Sequence, residues 1–264
     1  MAIETVLCRV QPGSTVITVI EKRLSSRDRR EPEAALHLRH EAALLRMLGG
    51  RVTPNLLDAG EDERGPWLRM EKISFPTLAG RLEQNGGAAL DASWVERAAR
   101  AAFGALADLH EATDAAGSLR IVHADVSPGN IAVDDDAGRA VLLDLELASW
   151  REGPPRDGAF RGTIGYCAPE IARGEPPSVA CDLFALAATL LHASTGLVPR
   201  EAPSLAAALL MAAEFPLLGA AHLADVDLAA RGVTHAALAR CLAHDPAERP
   251  SSARQVLALL AVAL

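Results

Sequence analysis

Residues 121–130, Ile-Val-His-Ala-Asp-Val-Ser-Pro-Gly-Asn, bring an acid and an amide into one short loop. Ile121 and Val122 are apolar and β-branched, as in a short buried strand, and Pro128-Gly129 forces a turn between Asp125 and Asn130. The Asp125 carboxylate can accept a proton or orient a hydroxyl. The Asn130 side-chain carbonyl can ligate a hard cation such as Mg²⁺, which prefers oxygen donors. A second carboxylate, Asp144, follows the apolar run Val141-Leu142-Leu143. A third group is a lysine, Lys22, after a β-rich run, with Glu41 19 residues later in a helical stretch, so that the two can pair across a strand–helix contact. The chain has 24 arginines and two lysines, Lys22 and Lys72, so a retained lysine marks a place where arginine would not serve.

These groups need elements to hold them. Residues 4–10 and 15–21 read as strands around the turn Gln11-Pro12-Gly13-Ser14, with Lys22 at the end of the second. The charged stretch 25–31 reads as a loop. Pro32 suits the first turn of a helix running to Leu48, with Leu36, Leu44, Met47 and Leu48 on one face and Gly49-Gly50 as the stop. Two more strands are expected at 52–60 and 66–73, and Phe75 to Leu82 leaves the sheet. Ser93-x-x-Glu96 has the form of a capping box opening a helix from Trp94 to about His110. Beyond short strands around 121–145 the chain reads as helical, at about 179–193, 204–213, 234–243 and 252–263, with Ser252-x-x-Gln255 capping the last.

Composition narrows the function classes. A formal charge of −8 argues against a nucleic-acid or anionic-membrane surface. Cys8, Cys167, Cys181 and Cys241 are widely spaced and fit reduced thiols in a cytoplasmic protein. No signal peptide is expected, and no apolar run reaches the ~18 residues of a membrane span. The histidines at 37, 40, 110, 192, 222, 235 and 244 lack metal-ligand spacing and read as structural or surface residues.

The order of groups resembles a known family. His123-x-Asp125, with Val126 and then Asn130, resembles the catalytic loop of protein kinases, and is also similar to the loop of small-molecule phosphotransferases such as the aminoglycoside and choline kinase-like enzymes. Val-Ile-Glu-Lys22-Arg-Leu followed by Arg39-x-Glu41-x-x-Leu44-Leu45 resembles the kinase lysine strand and glutamate helix. Asp144-Leu145-Glu146 resembles the D-F-G motif. Gly162 to Glu170, Gly-Thr-Ile-Gly-Tyr-Cys-Ala-Pro-Glu, resembles the segment closing a protein kinase activation loop, which small-molecule phosphotransferases lack. Cys181-Asp182-Leu183-Phe184 with Thr195-Gly196, and Asp245-Pro246 with Arg249-Pro250, resemble two later kinase motifs.

The resemblance spans residues 15–264 and implies an α+β, two-lobed protein-kinase-like fold. Residues 1–73 would form a small β-rich N-lobe with one helix, and 74–264 a larger α-helical C-lobe. It implies transfer of the ATP γ-phosphoryl group to a Ser or Thr of a protein substrate. Asp125 would act as base, Asn130 and Asp144 would hold Mg²⁺, and Lys22, oriented by Glu41, would hold the phosphates. Met70 would sit at the back of the adenine pocket, with Glu71 and Ile73 lending backbone groups and Lys72 facing solvent. Thr163 would bond near Asp125, Asp182 would accept bonds from the catalytic-loop backbone, and Arg249 would pair with Glu170.

Four features depart from the family pattern. Ala124 replaces an arginine, Ser127 a lysine and Glu146 a glycine, and only 21 residues, with Gly13 their single glycine, precede Lys22 where a glycine-rich loop is expected. An active kinase, a pseudokinase serving as a nucleotide-binding or regulatory module, and a small-molecule phosphotransferase are the readings in that order. Ala124, together with the lack of Ser, Thr or Tyr in residues 150–162, implies activity independent of activation-loop phosphorylation.

Overall fold

A computed structural model of the chain describes residues 3–10, 17–25, 32–153, 160–217 and 233–261. The expected turn at 11–14, most of the loop at 25–31 and the last residues of the 252–263 helix lie outside the described residues. The chain divides into two compact units, Met1–Ser74 with Leu143–Leu147, and Phe75–Leu142 with Ala148–Leu264.

The first unit is an antiparallel four-stranded sheet with one helix. Strands β1 (Ile3–Val10), β2 (Ile17–Leu24), β3 (Leu56–Asp62) and β4 (Gly65–Glu71) lie in the order β1-β2-β4-β3, and helix α1 spans Pro32–Leu48. Strand β2 runs two residues past Lys22, which therefore sits inside the ladder, opposite Leu68 of β4. Side chains alternate between the faces of a strand. Lys22 thus shares a face with Leu68, whereas Glu21 shares the opposite face with its cross-strand partner Arg69. Glu21 accepts from Arg23 Nε and Arg69 Nε, each at 2.7 Å. Helix α1 has its expected bounds, but its buried stripe runs through Ala34, Leu38, Glu41, Leu45 and Leu48, one residue every three or four. Leu44 is also buried, whereas Leu36 and Met47 lie outside, at 45% and 39% exposure. Gly49 and Gly50 end the helix with positive φ.

The second unit is mainly helical. Helix α2 (Leu78–Gln84) is capped by Thr77, and α3 spans Ala92–His110. The α3 cap is not the expected box. Asp91 is the N-cap and accepts from Trp94 N at 2.9 Å, and Ser93 Oγ donates to Asp91 at 2.6 Å. A carboxylate is the stronger acceptor at a helix N-terminus, so it starts the helix two residues early. Two small hairpins follow, β5 (Thr113–Asp114) with β6 (Gly117–Ser118), and β7 (Ile131–Val133) with β8 (Ala140–Leu142). Ile121 and Val122 are buried but form no strand; Val122 makes one bridge to Ser149.

Helices α4 (Pro169–Ala172), α5 (Val179–Thr195), α6 (Leu205–Glu214), α7 (Val233–Cys241) and α8 (Ala253–Ala261) complete the unit. Helix α5 is buried without a break from Cys181 to Leu191, as befits a helix that is apolar on every side. It ends at Gly196, at φ 72°, where a Cβ would meet Gly87 O at 2.8 Å. Only glycine fits there. Ser252 Oγ accepts from Gln255 N at the start of α8, but the Gln255 side chain reaches back to Ser251 N rather than to Ser252 N.

Candidate active site

In the first unit, Lys22, Glu41 and Asp144 meet. Lys22 Nζ donates to both Glu41 oxygens, at 2.8 and 2.9 Å, and to Asp144 Oδ1 at 2.8 Å. Glu41 is fully buried at mid-helix, and the pair crosses from β2 to α1 as its 19-residue separation suggested. Leu145 N donates to Glu41 Oε1 at 3.3 Å. Burial disfavours the Lys22 ammonium, but the Glu41 and Asp144 carboxylates outweigh it and raise the lysine above its ordinary range, so Lys22 stays charged. Burial pushes the Glu41 carboxyl up, with Lys22 pulling the other way. Asp144 lies beyond the end of β8 rather than in a strand and takes a left-handed conformation, φ 62°.

In the second unit, the 121–130 loop is tied down from below. Asp182 in the first turn of α5 is 1% exposed and accepts from His123 N at 2.7 Å and Ala124 N at 2.8 Å. His110, at the end of α3, contacts the same carboxylate at 2.9 Å through Nε2. The structure therefore joins His110 to this network, a link that its structural reading did not specify. Buried Asp182 has the partners that burial demands. Above this anchor, Asp125 Oδ1 accepts from Thr163 N at 2.8 Å and Thr163 Oγ1 at 2.9 Å, and Asp125 Oδ2 from Asn130 Nδ2 at 3.0 Å. Gly162 permits the approach: at φ 116°, a Cβ there would sit 3.1 Å from Asp125 Oδ1. Asn130 Nδ2 also donates to Asp125 O at 2.9 Å, so the amide nitrogen is committed inward and the side-chain carbonyl is the atom left to ligate.

Glu170 and Arg249 pair 79 residues apart, Arg249 also donating to Ala180 O, Ala243 O and His244 O. The guanidinium stacks 4.9 Å from the Phe184 ring centre. Tyr166 OH lies 2.7 Å from His192 Nδ1, a contact outside the sequence reading. Met70 is buried. Glu71 N–H donates to Asn55 O at 2.9 Å. Ile73 is half-buried and Lys72 exposed.

Mg²⁺ prefers oxygen donors, keeps several waters and takes one or two carboxylates plus substrate phosphates, and each unit carries an oxygen donor of that kind. Asn130 offers a carbonyl, Asp144 a carboxylate with 40% of its side chain exposed, and no cluster of three His, Cys, Asp or Glu stands among the described residues.

The fold is that of a protein kinase. The crystal structure of the Mycobacterium tuberculosis PknI kinase domain superposes with a TM-score of 0.66 at 23% identity, covering 98% of this chain and 90% of that one. Residues 8–259 match the family model of the protein kinase domain, and the chain belongs to that family. Among curated relatives it is similar to the serine/threonine-protein kinase PkaB of Streptomyces coelicolor, 35% identical over 39% of this chain and 27% of PkaB. PknK of Mycobacterium tuberculosis is 33% identical over 55% of this chain and 13% of PknK. The probable serine/threonine-protein kinase PkwA of Thermomonospora curvata is 26% identical over 66% of this chain and 22% of PkwA. The chain thus spans about a quarter or less of the length of these relatives. No helix among the described residues is long and apolar enough to cross a membrane.

Proposed function

We propose that the chain is a serine/threonine protein kinase domain that transfers the γ-phosphoryl group of ATP, with Mg²⁺, to a protein hydroxyl. The observation that carries this reading is the Asp125 carboxylate, aimed by Thr163 and Asn130 and seated on the Asp182 anchor. A carboxylate so oriented can take the proton of a Ser or Thr hydroxyl as it attacks. Lys22, kept cationic by Glu41, contributes charge for the phosphates. Mg²⁺, when bound, would neutralise the transferring phosphate, and Asn130 and Asp144 would hold it. Met70, Glu71 and Ile73 would border the adenine. The free thiols suit a reducing compartment, and the reading places the protein in the cytoplasm.

The test is γ-phosphate transfer to a generic Ser/Thr protein substrate by wild type, Asp125→Ala and Asp144→Ala, alongside Mg·ATP binding. Transfer by wild type and its loss in both variants supports the reading. ATP binding with no transfer would instead favour a nucleotide-binding regulatory module, which Ser127 at the usual lysine position also fits. Transfer to an aminoglycoside or choline but not to protein would favour the small-molecule class.

A further inference from the structure

Glu146 stands where the family pattern has glycine, yet the backbone freedom of glycine is not used there. The left-handed residue of the segment is Asp144, and Glu146 is not among the positive-φ residues. Its side chain instead has a partner on α1. Glu146 Oε1 lies 3.5 Å from His37 Nδ1, with 30% and 19% of the two side chains exposed. His37 is one helical turn before Glu41, so both face the same way from α1. Glu41 receives Leu145 N–H at 3.3 Å. Two successive turns of the helix therefore grip two successive residues, His37 on Glu146 and Glu41 on Leu145. Glu33, another turn earlier, is 4.0 Å from His37 on its other side.

We propose that His37 and Glu146 are positioning residues that dock α1 on the Asp144 segment and so hold Glu41 against Lys22. Glu41 has to stay desolvated to keep Lys22 in place, and a rotation or shift of the helix would release it. The His37–Glu146 contact adds to the Leu145–Glu41 bond a second polar tie between this face of α1 and the Asp144 segment. The glycine of the family pattern could not supply it, having no side chain. The inference rests on the reading of Lys22 and Glu41 as the phosphate grip.

The experiment compares wild type, His37→Ala, Glu146→Gln, the double variant and His37→Arg, which keeps an N–H donor at 37. The readouts are amide hydrogen exchange of α1 residues 38–48 and the dissociation constant for Mg·ADP. Each single variant is expected to speed α1 exchange and weaken nucleotide binding by about two- to fivefold, the scale of a single partly exposed polar contact. The double variant should be no worse than the singles, because they break one contact, and His37→Arg should stay near wild type. Unchanged exchange and binding in both single variants, or single effects that simply add in the double, would overturn the proposal. Neither readout requires phosphoryl transfer. A wild type that transfers nothing would therefore count against the proposed activity while leaving this coupling measurable.

Discussion

Arg249 sets both terminal guanidinium nitrogens on the Glu170 carboxylate, at 2.6 and 2.9 Å, with both side chains buried. The pair joins the end of the activation segment to the turn before α8. Remaining N–H groups are taken up by three backbone carbonyls, so the buried charge is fully hydrogen-bonded. Removing one partner strands the other. Glu170→Ala is expected to cost about 3–5 kcal/mol of unfolding free energy, measurable by urea denaturation. Arg249→Lys should also destabilise, since an ammonium cannot reproduce the fork. Variants unfolding at the wild-type midpoint would contradict this account.

The Asp182 anchor predicts a local effect as well as a global one. Asp182→Ala leaves two backbone N–H groups and His110 without their acceptor, and each buried orphan costs about 1–3 kcal/mol. Asp182→Asn keeps one acceptor oxygen and should lose less. Hydrogen exchange at His123 and Ala124 is the direct readout, expected to accelerate most in the alanine variant.

At the proposed chemical centre, Asp125→Ala should lower kcat by about 10²–10⁴-fold, the usual contribution of a positioned base, with Mg·ATP affinity little changed. Thr163→Val keeps the backbone bond to Asp125 but removes the hydroxyl. A bond to a charged group contributes about 1.5–3 kcal/mol, so a loss of roughly tenfold or more in kcat is expected. Thr163→Ser should retain most activity. Steady-state kinetics of the three variants checks the order.

Acid sensitivity should arise in the sheet. Burial raises the Glu21 carboxyl, but Arg23 and Arg69 outweigh it, and the net effect is a pKa below the ordinary 4.5. A depressed carboxylate contributes stability that is fully present above pH 4.5 and is lost as the pH falls through its folded value. Glu21→Gln should therefore be less stable than wild type at neutral pH, and the two stabilities should converge in acid. Thermal melts from pH 7 down to pH 3 test the sign; a gap that widened in acid would refute it.

Ala124 and the absence of hydroxyl residues from 150 to 162 predict activity without activation-loop phosphorylation. Mass spectrometry of active protein should find no phosphosite within residues 144–170 whose removal abolishes transfer.

Much of this was legible along the chain, because the signals are local. Pro32 and Gly49-Gly50 bracket α1 correctly, since a proline in the first turn and a left-handed stop act on their immediate backbone. The order of Lys22, Glu41, Asp125, Asn130, Asp144, Glu170, Asp182 and Arg249 was enough to nominate the groups that converge in each unit. What periodicity could not resolve was competition between neighbours. Asp91 outbids Ser93 for the α3 cap, and Lys22 is enclosed by a strand that continues two residues past it, to Leu24.

Only the tertiary structure decided which donors and acceptors find each other. His110 reads as the unremarked end of a helix until Asp182, 72 residues later, is seen to receive it. Glu146 reads as a lost glycine until its carboxylate is found beside His37, 109 residues earlier in the chain. Residue types and spacing determine which side chains are able to do chemistry, because that is a property of each group. Which of them become buried, paired and oriented depends on contacts between segments distant in sequence, and those follow from the packing inside each unit.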